Sequence, residues 1–353
     1  YQSQSSSQSQ QQLPLQVPAF QIMSNNSRLG GNRYTYVLPN KICHYLLKQE
    51  IGFGAFSTVK LAIHDTTNKQ YACKIITKTR IIKAKMAERF ESEVRILQKF
   101  NHPDIVHLYD LYQDSLNYYL ICELFPFGTL YDFVIQNRKV VGQDAKYIFK
   151  QIVLTLDYIH KQGIAHRDVK PDNILINPAT LQIKFIDFGL SAHFQEGTLM
   201  NTICGSPNYS SPECISGKPY DGFKSDIWSL GVVLYMLVTG SIPWTKKVLP
   251  QLLSEIKESS FFVPITVEST CRDLILRLMN PTPEKRLSIP EILEHPFLQG
   301  VDFKPPEPVG NEIPRIDEEK LDYFFGKTIH PISHYNSDLR EAKVLLKRAN
   351  RKQ

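Results

Sequence analysis

No pair of cysteines in this chain is spaced to hold a metal. Cys43, Cys73, Cys122, Cys204, Cys214 and Cys271 are scattered singly, with no CxxC step and no Cys/His cluster. That pattern argues against a zinc site and fits a reducing compartment, so an intracellular location, cytoplasmic or nuclear, is expected. No secretory apolar stretch opens the sequence. The most apolar run, Leu230 to Val238, falls short of the about 20 residues that a membrane span takes, and predicts a buried helix instead. The net charge of +6 is modest: it permits anionic partners but does not by itself point to nucleic acid. Residues 1–20 carry no charged side chain, and are rich in Gln and Ser. They cannot bury enough apolar surface to offset their ordering entropy, so disorder is expected there. The chain opens on Tyr1 rather than Met, which is compatible with a piece of a longer protein.

What remains is an ordinary folded composition. A chain of 353 residues suits two or three domain-sized units. Apolar content of 42% and aromatic content of 11% supply a sizeable core.

The chemistry concentrates in His166-Arg167-Asp168-Val169-Lys170-Pro171-Asp172-Asn173, followed by Asp187-Phe188-Gly189. Asp168 can accept a hydroxyl proton. Asn173 and Asp187 are hard oxygen donors suited to Mg²⁺, which takes oxygen ligands and usually keeps water and phosphate oxygens as well. Lys170 can sit as a cation near a transferring phosphate. Pro171 prevents a regular helix, so these side chains belong on a shaped loop. Upstream, Ile51-Gly52-Phe53-Gly54 lies between strand-like segments, and its glycines let backbone N–H groups approach phosphate without an obstructing Cβ. From Gln70 to Ile76 the pattern alternates, which puts Lys74 on a face with Ala72. A lysine among apolar strand residues needs a partner. Met86, Phe90, Val94 and Leu97 recur at helical steps, and Glu93 lies on or beside their stripe, with Glu88 and Glu91 as rivals.

Together these motifs resemble the eukaryotic protein kinases, and the resemblance covers about residues 45–299. It implies an α+β bilobal protein kinase fold: a small antiparallel β-sheet N-lobe with one key helix, and a larger, mainly helical C-lobe. The expected boundaries are a Gln/Ser-rich segment 1–43, a kinase domain 44–299 and a Pro-containing linker with a basic tail, 300–353. Within the domain the N-lobe is 44–123, the hinge 124–128 and the C-lobe 129–299. By resemblance, ATP lies between the lobes. Ile51, Gly52, Phe53, Gly54, Val59, Ala72 and Leu175 surround it, the backbone of Glu123 to Phe125 reads the base, and Cys122 sits at the gate to the pocket behind the base. Lys74, held by Glu93, contacts phosphates; Asn173 and Asp187 hold Mg²⁺; Asp168 takes the substrate proton; Lys170 favours Ser/Thr hydroxyls. Thr202-Ile203-Cys204-Gly205-Ser206-Pro207 resembles the activation segment of the calcium/calmodulin-dependent group, in the branch related to AMP-activated protein kinase. That makes Thr202 a phosphorylation site for an upstream kinase and Arg167 its receiver. Glu213 and Arg286 match the family's structural ion pair.

Three positions depart from the family pattern. Ser57 stands for the third glycine, Thr129 for a common acidic residue that favours basic substrates, and Ser211 for the alanine of Ala-Pro-Glu. Asp226 is read as the N-cap of the apolar helix, and by resemblance as a support for the catalytic loop. His295 is assigned to packing. The tail from Ser337 to Gln353 mixes Leu and Val with Lys and Arg, which suits calmodulin, a membrane surface, an autoinhibitory contact with the kinase's own cleft, or a solvated segment. The alternative to catalysis is a pseudokinase scaffold. It is weighed down by the presence of Lys74, Asp168 and Asp187.

Overall fold

The computed structural model describes residues 38–54, 57–84, 86–195, 197–304 and 315–326. The segment 1–20 and the tail from Ser337 to Gln353 lie outside them, as do Pro305, Pro306, Pro308 and Pro314. Within the N-terminal segment expected to lack order, β1 (Lys41–Ile42) forms and pairs with the next strand.

The first lobe is one six-stranded sheet. It contains β2 (Tyr45–Phe53), β3 (Ser57–His64), β4 (Gln70–Thr77), β5 (Leu108–Gln113) and β6 (Asn117–Glu123), in the order β1-β2-β3-β4-β6-β5 with antiparallel pairing. Burial alternates along β4: Tyr71, Cys73 and Ile75 are buried while Ala72 and Lys74 are half-buried, which is the period-2 signature of a strand with two unlike faces. After β4 come the short α1 (Lys78–Lys83) and α2 (Ala87–Lys99). Phe90, Val94 and Leu97 bury one stripe of α2, as their spacing predicts.

The second lobe begins with α3 (Leu130–Asn137) and α4 (Gly142–Lys161). Short strands β7 (Ile164–Ala165), β8 (Ile174–Ile176), β9 (Ile183–Phe185) and β10 (Ala192–His193) then frame the loops, pairing β8 with β9 and β7 with β10. Helices α5 (Pro212–Ile215), α6 (Gly222–Thr239), α7 (Leu249–Lys257), α8 (Ser269–Leu278) and α9 (Ile289–Glu294) follow. The apolar run Leu230 to Val238 is buried inside α6, the centre of this lobe's core. No described helix is long and apolar enough to cross a membrane.

Two features differ from the sequence reading. Asp226 is not an N-cap. The chain enters α6 earlier, at Asp221, whose carboxylate accepts from the amides of Phe223 and Lys224 at 2.8 and 3.0 Å. And α10 (Glu318–Phe324) stands where the sequence reading expected only linker and tail. Asp317 caps it by accepting from the Lys320 amide.

Candidate active site

Strand register brings the first group together. Gly52 lies opposite Val59, Val59 opposite Lys74, and Ala72 opposite Cys122. Ile51, Val59 and Ala72 are all half-buried, as apolar residues lining an open cleft must be. Phe53 is 66% exposed, so at that position the backbone is what the turn offers. A Cβ on Gly54 would stand 2.7 Å from the Ser57 hydroxyl. The serine that replaces the third glycine therefore fills the space that Gly54 leaves.

Lys74 donates to Glu93 Oε1 at 2.6 Å. Of the three candidate acids, α2 presents Glu93, and the rival Glu91 is bonded to Arg95 instead. Burial disfavours the Lys74 charge, but the nearby carboxylates of Glu93 and Asp187 outweigh it and raise its pKa, so the lysine stays a cation. Asp187 and Glu93 both border Gly189: a Cβ there would lie 3.2 Å from the first and 3.3 Å from the second. One strand, one helix and the Asp-Phe-Gly turn thus meet at a single point.

The loop between β7 and β8 carries the second group. Asp168 receives Lys170 Nζ at 2.7 Å, Asn173 Nδ2 at 2.9 Å and the Ser206 amide at 3.0 Å. Burial pushes the Asp168 carboxyl up, but these donors, led by Lys170, prevail and hold it below the usual carboxylate range. It is therefore an ionised acceptor. Lys170 also donates to the Ser206 hydroxyl at 2.6 Å. Arg167 sits at φ 66°, a costly conformation for a residue with a Cβ. Asp226, buried in α6, takes the amides of His166 and Arg167 at 2.8 Å each and holds that backbone. Gly205 (φ 94°) packs against the same loop, and a Cβ there would come within 2.8 Å of the Arg167 carbonyl.

The two groups share one cleft floor. The Ile186 amide donates to the Asn173 carbonyl at 3.1 Å, which puts Asp187 one residue from the loop that holds Asn173. Asn173 spends its side-chain Nδ2 on Asp168, leaving the side-chain Oδ1 for a cation. That oxygen and the Asp187 carboxylate are hard donors, and the described residues contain no group of three or more His, Cys, Asp or Glu that could hold a metal. The pair fits Mg²⁺, which is satisfied with a protein ligand or two when phosphate and water complete the shell.

The hinge residues divide their roles. The Glu123 side chain is taken by Lys184 at 2.7 Å and His107 at 2.9 Å, and its amide donates to the His107 carbonyl at 2.8 Å, so neither reads a base. Phe125 stacks edge-on against Phe127, 5.0 Å between ring centroids. Leu175 lies beside the end of this segment: it bridges Thr129, and the Ile176 amide donates to the Gly128 carbonyl at 3.0 Å. Thr129 caps α3 and bonds Asp132, a local duty.

Arg167 reaches the activation segment, but its guanidinium rests on Cys204 Sγ at 3.1 Å through Nε, not on Thr202. Thr202 is exposed, and its carbonyl accepts from Tyr220. Ser211 is fully buried; its hydroxyl accepts from the Cys214 amide and bonds Ser225, so a hydroxyl is tolerated where the family carries alanine. His295 packs as expected, pairing with Asp273.

Sequence reasoning missed Ser206 and Lys184. Gly205-Ser206-Pro207 directly after the candidate phosphosite was the available signal for the first. A lysine alternating with Ile183 and Phe185 in a buried strand was the signal for the second.

A family model described as "Protein kinase domain" matches residues 45–298. Serine/threonine protein kinase OSK4 of rice (Oryza sativa) is 36% identical over 303 residues, covering 85% of this chain and 58% of the relative. The SNF1-related protein kinase catalytic subunit alpha KIN12 of Arabidopsis thaliana is 36% identical over 278 residues, 79% of this chain and 55% of the relative. The SNF-related serine/threonine-protein kinase of Rattus norvegicus is 40% identical over 262 residues, 74% of this chain and 35% of the relative. The chain spans about half the length of the curated relatives it matches, or less.

Proposed function

This chain belongs to the protein kinase domain family, and from that premise we propose that it transfers the γ-phosphoryl group of ATP to Ser or Thr hydroxyls of protein substrates. The observation that carries the reading is the convergence of Lys74–Glu93, Asp187 and the Asp168–Lys170–Asn173 cluster on one cleft. Phosphoryl transfer asks mainly for positioning and charge neutralisation. In this reading Lys74, fixed by Glu93, holds the α- and β-phosphates. Ile51, Val59, Ala72 and Leu175 enclose the adenine, and the backbone at Glu123 to Phe125 reads it. Gly52, Phe53 and Gly54 cover the phosphates with backbone N–H groups. Mg²⁺, when bound at Asn173 and Asp187, neutralises phosphate charge. Asp168 accepts the substrate hydroxyl's proton, and Lys170 steadies the transferring group.

A cavity of about 480 Å³ opens where the acceptor would lie. Lys170, Asp172, Ser206 and Tyr209 line it together with Tyr131 and Ile135 of α3, beside the proton acceptor. Residues 44–299 form the catalytic domain in this reading, divided at 124–128. Thr202 is the regulatory site: phosphate there, placed by an upstream kinase, would draw Arg167 off the Cys204 sulfur into a charge-assisted pair.

The test is phosphotransfer from ATP to a generic Ser/Thr peptide, with Asp168→Asn as the control and mass spectrometry of Thr202 alongside. Activity well above the control, rising with phosphate at Thr202, supports the reading. Turnover equal to the control when Thr202 is phosphorylated would mark a binding scaffold. Full activity without phosphate would remove the switch.

A further inference from the structure

The face of α2 opposite its catalytic partner is occupied by the chain's own C-terminal segment. Glu91, Arg95 and Gln98 recur at helical spacing along α2. Arg95 bonds Glu91 at 2.8 Å, then reaches out to Glu318 at 2.5 Å and Asp322 at 2.6 Å, both on α10. The Gln98 side chain accepts from the Ile316 amide at 3.0 Å while donating to the Leu108 carbonyl at 2.9 Å, so one amide ties the segment, α2 and β5 together. From β5, Asp110 pairs with Lys320 and Gln113 donates to the Phe324 carbonyl.

An apolar contact runs beneath these bonds. Leu321 is 1% exposed and Phe324 3% exposed. Phe324 packs on Tyr118 of β6, 5.0 Å between centroids, and Phe325 packs on Phe90 of α2 at 5.7 Å. Phe90 and Arg95 flank Glu93 on the same helix, before and after it. The segment therefore grips α2 on both sides of the residue that fixes Lys74, and anchors it to β5 and β6.

We propose that residues 315–326, docked in cis, are a positioning element that holds α2 at the distance at which Glu93 meets Lys74. The proposal rests on the reading of Lys74 as the phosphate-binding cation. A short helix that only covered apolar surface would need Leu321 and Phe324. It would not need a cation two residues from Glu93 shared between two of its carboxylates. Without the segment, α2 keeps its own apolar stripe on the sheet and can rock about it, and Glu93 moves with it.

The experiment compares the full chain with Leu321→Ala/Phe324→Ala and with the milder Glu318→Arg/Asp322→Arg, by hydrogen exchange and by ATP kinetics. Amides of α2 are expected to exchange at least tenfold faster in both variants, with α6 unchanged as the measure of intact folding. KM for ATP should rise severalfold while KM for the peptide stays put, and Arg95→Glu added to the charge variant should recover part of the loss. Unchanged exchange in α2 for the charge variant overturns the proposal, as does a KM rise shared equally by ATP and peptide. An effect on α2 that depends on protein concentration would assign the docked helix to a second copy and overturn docking in cis. Failure of the kinase reading itself is separable, because it would appear as an inactive unaltered chain whose α2 exchange still responds to the variants.

Discussion

Glu213 and Arg286 are separated by 73 residues and joined by two hydrogen bonds, at 2.6 and 2.8 Å, with the arginine side chain fully buried. Arg286 also donates to the carbonyls of Asn280 and Lys224. It thus ties the end of the activation segment to α6 and to the loop after α8. Removing one partner of such a pair leaves an uncompensated buried charge, which costs about 3–5 kcal/mol. Glu213→Ala should therefore lower the thermal midpoint by roughly 10 °C, read by calorimetry. A midpoint within a degree of the unaltered chain would show that water or a neighbour replaces the carboxylate.

Lys74–Glu93 differs in kind from that pair. It lies partly open to the cleft, at 24% and 12% side-chain exposure, and a glutamine at 93 can still accept one hydrogen bond. Glu93→Gln should leave the thermal midpoint nearly unchanged. Its effect belongs to catalysis, since the lysine loses the charge that orients it. A loss of about 10²–10³ in kcat/KM for ATP is expected, the scale of one misplaced electrostatic group in an active site. Steady-state kinetics with varied ATP measure it.

Those predictions draw on motifs visible in the sequence, and the reason is physical. Lys74, Glu93, Asp168, Asn173 and Asp187 each sit where a local rule fixes direction: strand alternation, helical spacing, or a proline-broken loop. What was not legible depended on partners far along the chain. Local rules near Asp226 do not say where its carboxylate points, and its support of the catalytic loop is legible only through the family resemblance; the helix start differs because Asp221-Gly222 offers the same capping chemistry earlier. Nothing near Arg167 says that, with Thr202 unmodified, its guanidinium will rest on the sulfur of Cys204, 37 positions away. The segment around α10 escaped because a short helix has little periodicity of its own. Its apolar residues make sense only against Phe90 and Tyr118.

Gly205 offers a test of how tightly the activation segment must approach the catalytic loop. Its φ of 94° is strained for any residue with a Cβ, and the added atom would meet the Arg167 carbonyl at 2.8 Å. Neither backbone can yield freely, because Asp226 holds the Arg167 amide. Gly205→Ala is expected to cost about 1–2 kcal/mol of stability. It should cost proportionally more activity, since Ser206, the next residue, donates its amide to Asp168. Denaturant unfolding and peptide phosphorylation measured on one preparation would separate the two effects, and equal activity to the parent would show the segment to be adaptable.

Asp104 makes a pH-dependent prediction whose sign can be worked out. It lies between α2 and β5, 2% exposed, with Oδ1 lacking a hydrogen-bond partner. Burial pushes its carboxyl up to about 7, against the opposing pull of Lys184. Neighbouring His102 is pushed down to about 4 by burial and by Lys184, so it is neutral where Asp104 ionises and offers no compensating charge there. A folded-state pKa above the unfolded one means that the folded chain binds the extra proton between about pH 4 and 7. Stability from this group is therefore full at acid pH and is lost as pH rises toward 7. The cost of ionising it in place approaches about 4 kcal/mol by pH 8. Asp104→Asn removes the charge and keeps the shape, so its stability relative to the parent should be smallest near pH 4 and clearly positive at pH 8. Chemical denaturation at both values checks this, and because every other titrating group is common to the two proteins, a difference that does not change with pH would mean that Asp104 ionises freely in the fold.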